Sequence, residues 1–292
     1  MSWVVQGNRL VKYSGKAHTK FWEDYWSKTE IQNDIIEAKN DKVMQRIFCK
    51  YLPRNGKILE AGCGIGKWVM VLGEIGYKIE GIDFSSKVIN KVKKFNPDIP
   101  VKVADILDLP YADGTFSGYI SLGVLEHLQN GPHQALLEAR RILSKNGVVL
   151  ISVPYFSPIR KFKAILNLYK HEYEGEFFQY AFSKTELLQT IRNAGFEIVD
   201  IITIRGLRGM FEEISLLKRF SKKVFKYQTK VSNNFKSISL ITKVKRKCSN
   251  YLKHFLKVTS ELKFVREIVG HMIIVIAKCS SIKKDIIILK CT

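Results

Sequence analysis

Apolar residues along this chain fall into two alternating rhythms. From residue 57, short runs of strand character are separated by stretches with helical spacing. Lys57–Ala61 (KILEA) predicts a strand that runs into a glycine-rich turn, and Ile65–Gly76 predicts a helix ending on glycine. Lys78–Phe84 alternates as a second strand, after which Ser85 or Ser86 can cap a helix to Phe95. Val101–Ala104 is a third strand and Gly118–Leu122 a fourth. Leu136, Leu137, Ala139 and Leu143 share one face of a helix over Pro132–Leu143. Asn146-Gly147 predicts a turn into a fifth strand, Val148–Val153. Ser183 caps a helix over Lys184–Ala194, Phe196–Ile204 is a sixth strand and His271–Lys278 a seventh.

Strands alternating with helices require crossover connections, and so a parallel sheet covered on both faces. Residues 1–50 read as a helical lead-in and cap, with the aromatic cluster Trp22, Tyr25 and Trp26. The remaining division is 51–204 with 271–278 as the α/β domain, 205–270 as an insertion between strands six and seven, and 279–292 as a tail.

Composition changes this picture in one respect. The 292 residues carry a formal charge of +21, from 48 Lys+Arg against 27 Asp+Glu. Residues 205–292 alone hold 21 basic and 5 acidic residues, so most of the excess sits in the insertion and tail. A nearly balanced domain with a basic appendage argues against nucleic acid as the main partner. The longest apolar runs fall far short of the roughly 18 residues needed to span a bilayer. Five cysteines without Cys-x-x-Cys spacing point to a reducing, cytoplasmic setting rather than a disulfide framework. His18, His133, His254 and His271 are scattered without ligand spacing, so no metal is expected.

The chemistry is concentrated at the predicted strand ends. In Leu59–Gly66 (LEAGCGIG), Gly62, Gly64 and Gly66 allow a tight turn and close approach of a ligand to backbone. The next helix offers N–H groups to an anion. A nicotinamide fingerprint is excluded, because Lys67 stands where its last glycine belongs. Asp83 and Asp105 close the second and third strands, on the rim where open α/β sheets bind ligands.

On these residues the chain resembles the class I S-adenosylmethionine-dependent methyltransferases, most closely the type-11 methyltransferase domain. The resemblance rests on LEAGCGIG (59–66), EGIDFS (80–85), DILDLPYADGTF (105–116), SLGVLEHL (121–128) and RILSKNGVVLISVP (141–154). It covers about residues 50–204 and the strand at 271–278. It implies a Rossmann-like, doubly wound seven-stranded sheet with an antiparallel last strand, and S-adenosylmethionine as cofactor. By position, Glu60 and the Gly62–Gly66 backbone (Gly62, Cys63, Gly64, Gly66) would hold the methionine end of the cofactor. Asp83, followed by Phe84, would bind its ribose. Asp105 and the Ile106 backbone would meet the adenine, and Ser121, Leu122 and Gly123 would line the methionine portion. Ser117 stands where the family usually has aspartate. Cys63 reads as a small filler of the loop.

Methyl transfer is an in-line displacement in which alignment and exclusion of water matter most. His127 is a base candidate if the acceptor is a hydroxyl or protonated amine; its alternative role is to hydrogen-bond the loop or border the cofactor. His171 is a second candidate, within Tyr155–Ser183, a segment that reads either as a substrate lid or as a solvated connector. Trp22, Tyr25 and Trp26 can cover the cofactor or pack as core. Phe211–Lys230 sorts on a helical wheel into an apolar arc (Phe211, Ile214, Leu216, Leu217, Phe220, Val224, Phe225) and a basic arc. This suits an anionic membrane surface, with peripheral attachment to the inner face, or a helix packed on the domain. The expected reaction is methylation of an O or N atom of a small sugar, lipid-linked or polyprenyl-type acceptor. An RNA methyltransferase gripping phosphates, or a non-enzymatic cofactor-binding protein, are the alternatives.

Overall fold

The computed structural model describes residues 2–14, 19–169, 175–213 and 262–280. Seven strands form the central sheet: β3 (Lys57–Ala61), β4 (Lys78–Asp83), β5 (Val101–Val103), β6 (Phe116–Leu122), β7 (Leu143–Pro154), β9 (Phe196–Ile204) and β10 (Met272–Cys279). Their order is β5-β4-β3-β6-β7-β10-β9. β3 to β7 pair in parallel. β10 slots between β7 and β9 and runs antiparallel to both. The seven-stranded sheet with its reversed last strand is therefore as expected.

Strand alternation assigns side chains to two cores. Leu59, Tyr119, Val149, Ile151, Ile273 and Val275 join one apolar cluster. It includes residues of α6 (His133–Ile142) and α8 (Lys184–Asn193). Ile58, Ile120, Val148, Leu150, Ile274 and Ile276 point the other way. They meet α2 (Ile31–Asn40), α3 (Lys42–Tyr51), α4 (Lys67–Glu74) and α5 (Ser86–Phe95). A sheet buried on both faces needs apolar residues at every position of its inner strands. β7 is buried continuously from Gly147 to Pro154 for this reason. Ser85 caps α5 by accepting from the Val88 N–H, and Ser183 caps α8 by accepting from Glu186.

Three features depart from the sequence pattern. The first fourteen residues are not helical. β1 (Ser2–Gln6) and β2 (Arg9–Ser14) form a hairpin that turns at Gly7, whose φ is +56°. β2 pairs with β8 (Glu176–Phe182), inside the segment read as a lid. This second sheet packs through Leu10, Ala181 and Phe156, and Val11 reaches the first core. Helices begin with α1 (Thr19–Ser27). Finally, Asn146-Gly147 falls inside the long strand β7, at a break in its pairing with β6, where the register jumps from Leu143 against Phe116 to Val148 against Gly118.

β7 leads into α7 (Pro158–Ile165), whose Arg160 is almost wholly buried. Arg160 Nη1 donates to the Tyr155 carbonyl at 2.9 Å, and Nε to Glu213 Oε1 at 2.8 Å. Glu213 ends α9 (Gly206–Glu213) and also accepts from Lys163 Nζ at 2.6 Å. Glu212 meets His271 Nδ1 at 3.0 Å. This network ties α7 and α9 to the start of β10. α10 (Lys263–Val269) packs on α7 and α9 beside it.

A buried charge left without its partner is costly. Arg160→Leu is expected to lower unfolding free energy by about 3–5 kcal/mol. Arg160→Leu/Glu213→Leu together should recover much of that loss. Urea denaturation of both variants checks this, and equal losses would contradict the pairing.

Candidate active site

Strand order reverses between β3 and β6, which leaves a crevice at the carboxyl ends of the strands. A cleft of about 380 Å³ lies there, at the ends of β3, β4 and β6. Gly62, Asp83, Phe84, Asp105, Ile106, Leu122 and Gly123 line it from the sheet side. Val124, His127 and Leu128 form one wall, and Trp22 and Trp26 close it from α1. Seven of the twelve expected cofactor residues therefore share one cleft. Glu60, Cys63, Gly64, Gly66 and Ser121 do not line it; they sit in or directly behind the glycine turn and the adjacent strand.

The turn is pinned to β4. Gly62 and Cys63 N–H both donate to the Ile82 carbonyl at 2.8 Å, and Gly64 N–H donates to Asp83 Oδ2 at 2.9 Å. Asp83 Oδ1 also accepts from Ser85 N–H at 3.1 Å. Gly62 and Gly64 both have positive φ, at +77° and +52°. A Cβ at Gly62 would strike the Val124 side chain, and one at Gly64 would come within 2.8 Å of the Trp26 ring. Only glycine leaves room there. α1 is held over this turn by α5. Lys91 Nζ donates to the Trp26, Ser27 and Thr29 carbonyls at 2.7–2.9 Å, and Lys87 pairs with Glu23 at 2.7 Å. A lysine on the last carbonyls complements the negative end of α1.

Buried acids surround the turn. Glu60 and Glu126 are both buried, and burial pushes each carboxyl up to about 8. Glu60 Oε2, Ser121 Oγ and Glu126 Oε2 have no hydrogen-bond partner among the described residues. Burial likewise raises Asp83, although Ser85 and Gly64 N–H groups oppose it. The Cys63 thiol is also raised by burial, then by Glu60 and Asp83, so it is held protonated and is no nucleophile. Asp105 is exposed, with Oδ1 accepting from Leu107 N–H at 2.9 Å.

His127 closes a short 3₁₀ turn, Leu125–His127, directly after β6. Its Nδ1 lies 2.7 Å from the Phe178 carbonyl. A carbonyl only accepts, so Nδ1 carries the proton and Nε2 keeps its lone pair. Nε2 is 4.0 Å from Glu126 Oε1. The ring packs edge-on against Trp22 and Phe178, with centroids 4.8 and 5.3 Å away. Burial lowers the imidazole to about 4, despite the Phe178 bond, and Lys12 adds to the drop. His127 thus borders the cleft and bonds the Phe178 carbonyl through Nδ1, and its Nε2 has no hydrogen bond to the described residues. His171 lies outside the described residues, as do residues 214–261 of the insertion. Trp22 and Trp26 line the cleft, whereas Tyr25 is exposed on the outer side of α1. Phe178 and the burial of Glu126 escaped the sequence reading; the aromatic run Phe177–Phe182 was the available signal for the former.

A parallel sheet reversing at a glycine turn, with an acid at each of the next two strand ends, defines a nucleoside-cofactor-binding α/β protein. A family model described as "Methyltransferase domain" matches residues 31–201. Among curated relatives, one from Mycolicibacterium smegmatis is 26% identical over 193 residues, covering 65% of this chain and 66% of its own. Its name is "Probable S-adenosylmethionine-dependent methyltransferase". The "Ubiquinone/menaquinone biosynthesis C-methyltransferase UbiE" of Campylobacter jejuni is 28% identical over 201 residues, covering 60% of this chain and 85% of its own. The chain thus spans just under two thirds of the length of the first relative and most of the second. A solved SAM-dependent methyltransferase from Methanosarcina mazei shares the fold, with TM-score 0.52 at 16% identity over 80% of this chain and 97% of that one. The chain belongs to the methyltransferase-domain family of class I S-adenosylmethionine-dependent methyltransferases, and S-adenosylmethionine is its cofactor.

The residues present fit that cofactor. The glycine turn leaves no space for a Cβ at Gly62 or Gly64, and the buried Glu60 Oε2 and Ser121 Oγ beside it have no hydrogen-bond partner among the described residues.

Glu126 carries a pH signature of its own. A carboxyl raised from 4.5 to about 8 stabilises the fold fully below pH 4.5 and loses that contribution as pH rises to 8. Glu126→Gln removes the loss. Between pH 4.5 and 7 its stability relative to wild type should therefore improve by about 3 kcal/mol, measured by urea denaturation. A difference flat with pH would mean that Glu126 ionises normally.

Proposed function

We propose that this protein transfers the methyl group of S-adenosylmethionine to a hydroxyl oxygen, or an amine nitrogen, of a small apolar acceptor of lipid-linked or polyprenyl type. The observation that carries the reading is the cleft wall: one neutral imidazole with a free Nε2, set among Trp22, Trp26, Leu122, Val124 and Leu128. Apolar and aromatic walls with few polar groups suit an apolar acceptor and exclude water.

In this reading Glu60 and the Gly62–Gly66 backbone hold the methionine end of the cofactor, with Ser121–Gly123 beside it. Asp83 takes the ribose hydroxyls, and Asp105 with Ile106 meets the adenine. The bound cofactor supplies a methyl group already activated by its positive sulfur. The chain's part is to align and to dehydrate. His127 Nε2 accepts the hydrogen bond of the acceptor hydroxyl and so turns an oxygen lone pair toward the methyl group. An imidazole lowered to about 4 is a weak base. Its contribution is orientation and a first stop for the leaving proton, rather than removal of that proton beforehand. Trp22 and Trp26 cover the site.

A carbon acceptor is the second reading, favoured by the name of the Campylobacter jejuni relative, a C-methyltransferase. Fragmentation of the product by mass spectrometry separates methyl on carbon from methyl on oxygen or nitrogen.

Asp83→Asn should weaken cofactor binding by roughly 10- to 100-fold in calorimetry, the worth of a charged hydrogen-bond acceptor. Unaltered affinity would remove Asp83 from the cofactor site. His127→Ala should lower kcat by on the order of 10² with a hydroxyl acceptor, with cofactor affinity changing far less. Unchanged turnover across pH would end the orienting role.

A further inference from the structure

One cation near the cleft has no anionic partner. Lys12 of β2 is half-buried, and burial lowers its ammonium. The other half-buried lysines among the described residues all hold an oxygen. Lys67 faces Asp34 at 3.5 Å, Lys163 faces Glu213 at 2.6 Å, and Lys91 and Lys93 donate to backbone carbonyls. Lys12 makes neither an ion pair nor a hydrogen bond to any described residue. Its Nζ lies instead 5.0 Å from the ring centroid of Phe178 and 5.7 Å from that of Trp3.

The charges around Lys12 do not satisfy it. Arg160 of α7 and Arg208 of α9 repel it, and Glu212 of α9 is the acid that attracts it. Glu212 is already engaged: Oε1 accepts from Arg208 Nε at 2.8 Å, and Oε2 meets His271 Nδ1 at 3.0 Å. An ammonium partly withdrawn from water without a counter-charge is costly, and two aromatic rings offset only part of that cost. A carboxylate or phosphate brought to it would form the charge-assisted bond that the fold itself does not supply.

Phe178 links this cation to the cleft. Its ring carries Lys12, its carbonyl accepts from His127 Nδ1, and its ring centroid is 5.3 Å from the imidazole. Ammonium and imidazole are thus each within 5.3 Å of one ring centre, a spacing that one small molecule can bridge. The charge of Lys12 also reaches the imidazole and lowers it. Asp83 and Asp105 stand at the ends of strands β4 and β5, whereas Lys12 belongs to the second sheet, on the side of His127. Its place is therefore beside the acceptor rather than beside the nucleoside.

We infer that Lys12 anchors an anionic group, a carboxylate or a phosphate, on the acceptor whose hydroxyl or amine meets His127. The acceptor is then amphipathic, with an apolar body against Trp22, Leu122 and Leu128 and one anionic end at Lys12. Two fixed points, Lys12 and His127, set which of its atoms faces the methyl group. The anionic end also offsets the field of Lys12 at His127, which makes the imidazole a better station for the leaving proton. This deepens the proposed function and rests on it for the place of the acceptor.

The experiment is calorimetry of the full chain with phenylacetate, phenyl phosphate and the neutral phenylacetamide, with and without saturating S-adenosylhomocysteine. Wild type, Lys12→Met and Lys12→Arg are compared. Wild type should bind one of the two anions on the order of tenfold or more tighter than the amide, and the tighter one names the group. Lys12→Met should lose that preference, bind the amide as before and keep its affinity for S-adenosylmethionine, while Lys12→Arg keeps the preference. The His127 titration, followed by NMR, is a readout that a packing role would not move. It should shift upward in Lys12→Met, and in wild type when the anion binds. Equal binding of anion and amide by wild type overturns the inference, as does no binding of either anion. So does a preference that survives in Lys12→Met, or an imidazole unmoved by the bound anion. Loss of cofactor affinity in Lys12→Met would assign Lys12 to the cofactor's own carboxylate, and a lower melting temperature with loss of the amide as well would assign it to packing; both overturn it. Failure of wild type to bind S-adenosylmethionine would strike the proposed function, while a Lys12-dependent anion preference without cofactor leaves the anchor standing.

Discussion

Burial of both faces of the central sheet governs the rest of the molecule. Once β3, β6, β7 and β10 are covered by helices above and below, no interior position can hold a polar side chain cheaply. Polar groups are driven to where strands end. Asp83, Ser121, Glu126 and Ser152 are buried at or just past the carboxyl ends of β4, β6 and β7, and Glu60 sits one residue before the end of β3. The reversal of strand order then opens a crevice among those ends, and the glycine turn lets backbone line it. The site follows from the packing of the sheet.

The same burial sets the site's electrostatics. Glu60 and Glu126 favour their neutral forms, and so does His127, by the opposite shift. Glu60 and Glu126 do not line the cleft; the acids that do are Asp83 and Asp105, beside the neutral His127. The fixed donors are backbone N–H groups, whose positions do not depend on pH.

Much of this was legible in the residues. The alternation of KILEA, KIEGID and VVLISV with amphipathic stretches carries the sheet, and LEAGCGIG with Asp83 carries the cleft. What escaped has a common cause. Arg160 and Glu126 read as surface charges, because nothing local in a sequence says that a distant Glu213 will pair with the one or that the fold will bury the other. The hairpin at residues 2–14 had its turn signal in Gly7-Asn8, but its strands, SWVVQ and RLVKYS, are short and neither alternates apolar with polar residues cleanly. Such strands gain most of their stability from a partner, β8, about 165 residues away. Asn146-Gly147 shows that a local turn signal can act inside a strand: the pairing of β7 with β6 skips from Leu143 to Val148 across it.

That distant pairing has a consequence for synthesis. β2 can be seated only after β8 exists, and β8 spans Glu176–Phe182. α1, which carries Trp22 and Trp26, is tethered directly behind β2. On a ribosome, the glycine turn, its strands and α5 can therefore assemble, with α1 held by Lys87 and Lys91, while the hairpin ahead of α1 still lacks its partner β8. β2 is made well before β8 yet settles after it, so a nascent chain passes through a stage in which its cofactor cleft is built while β2 is not yet joined to β8.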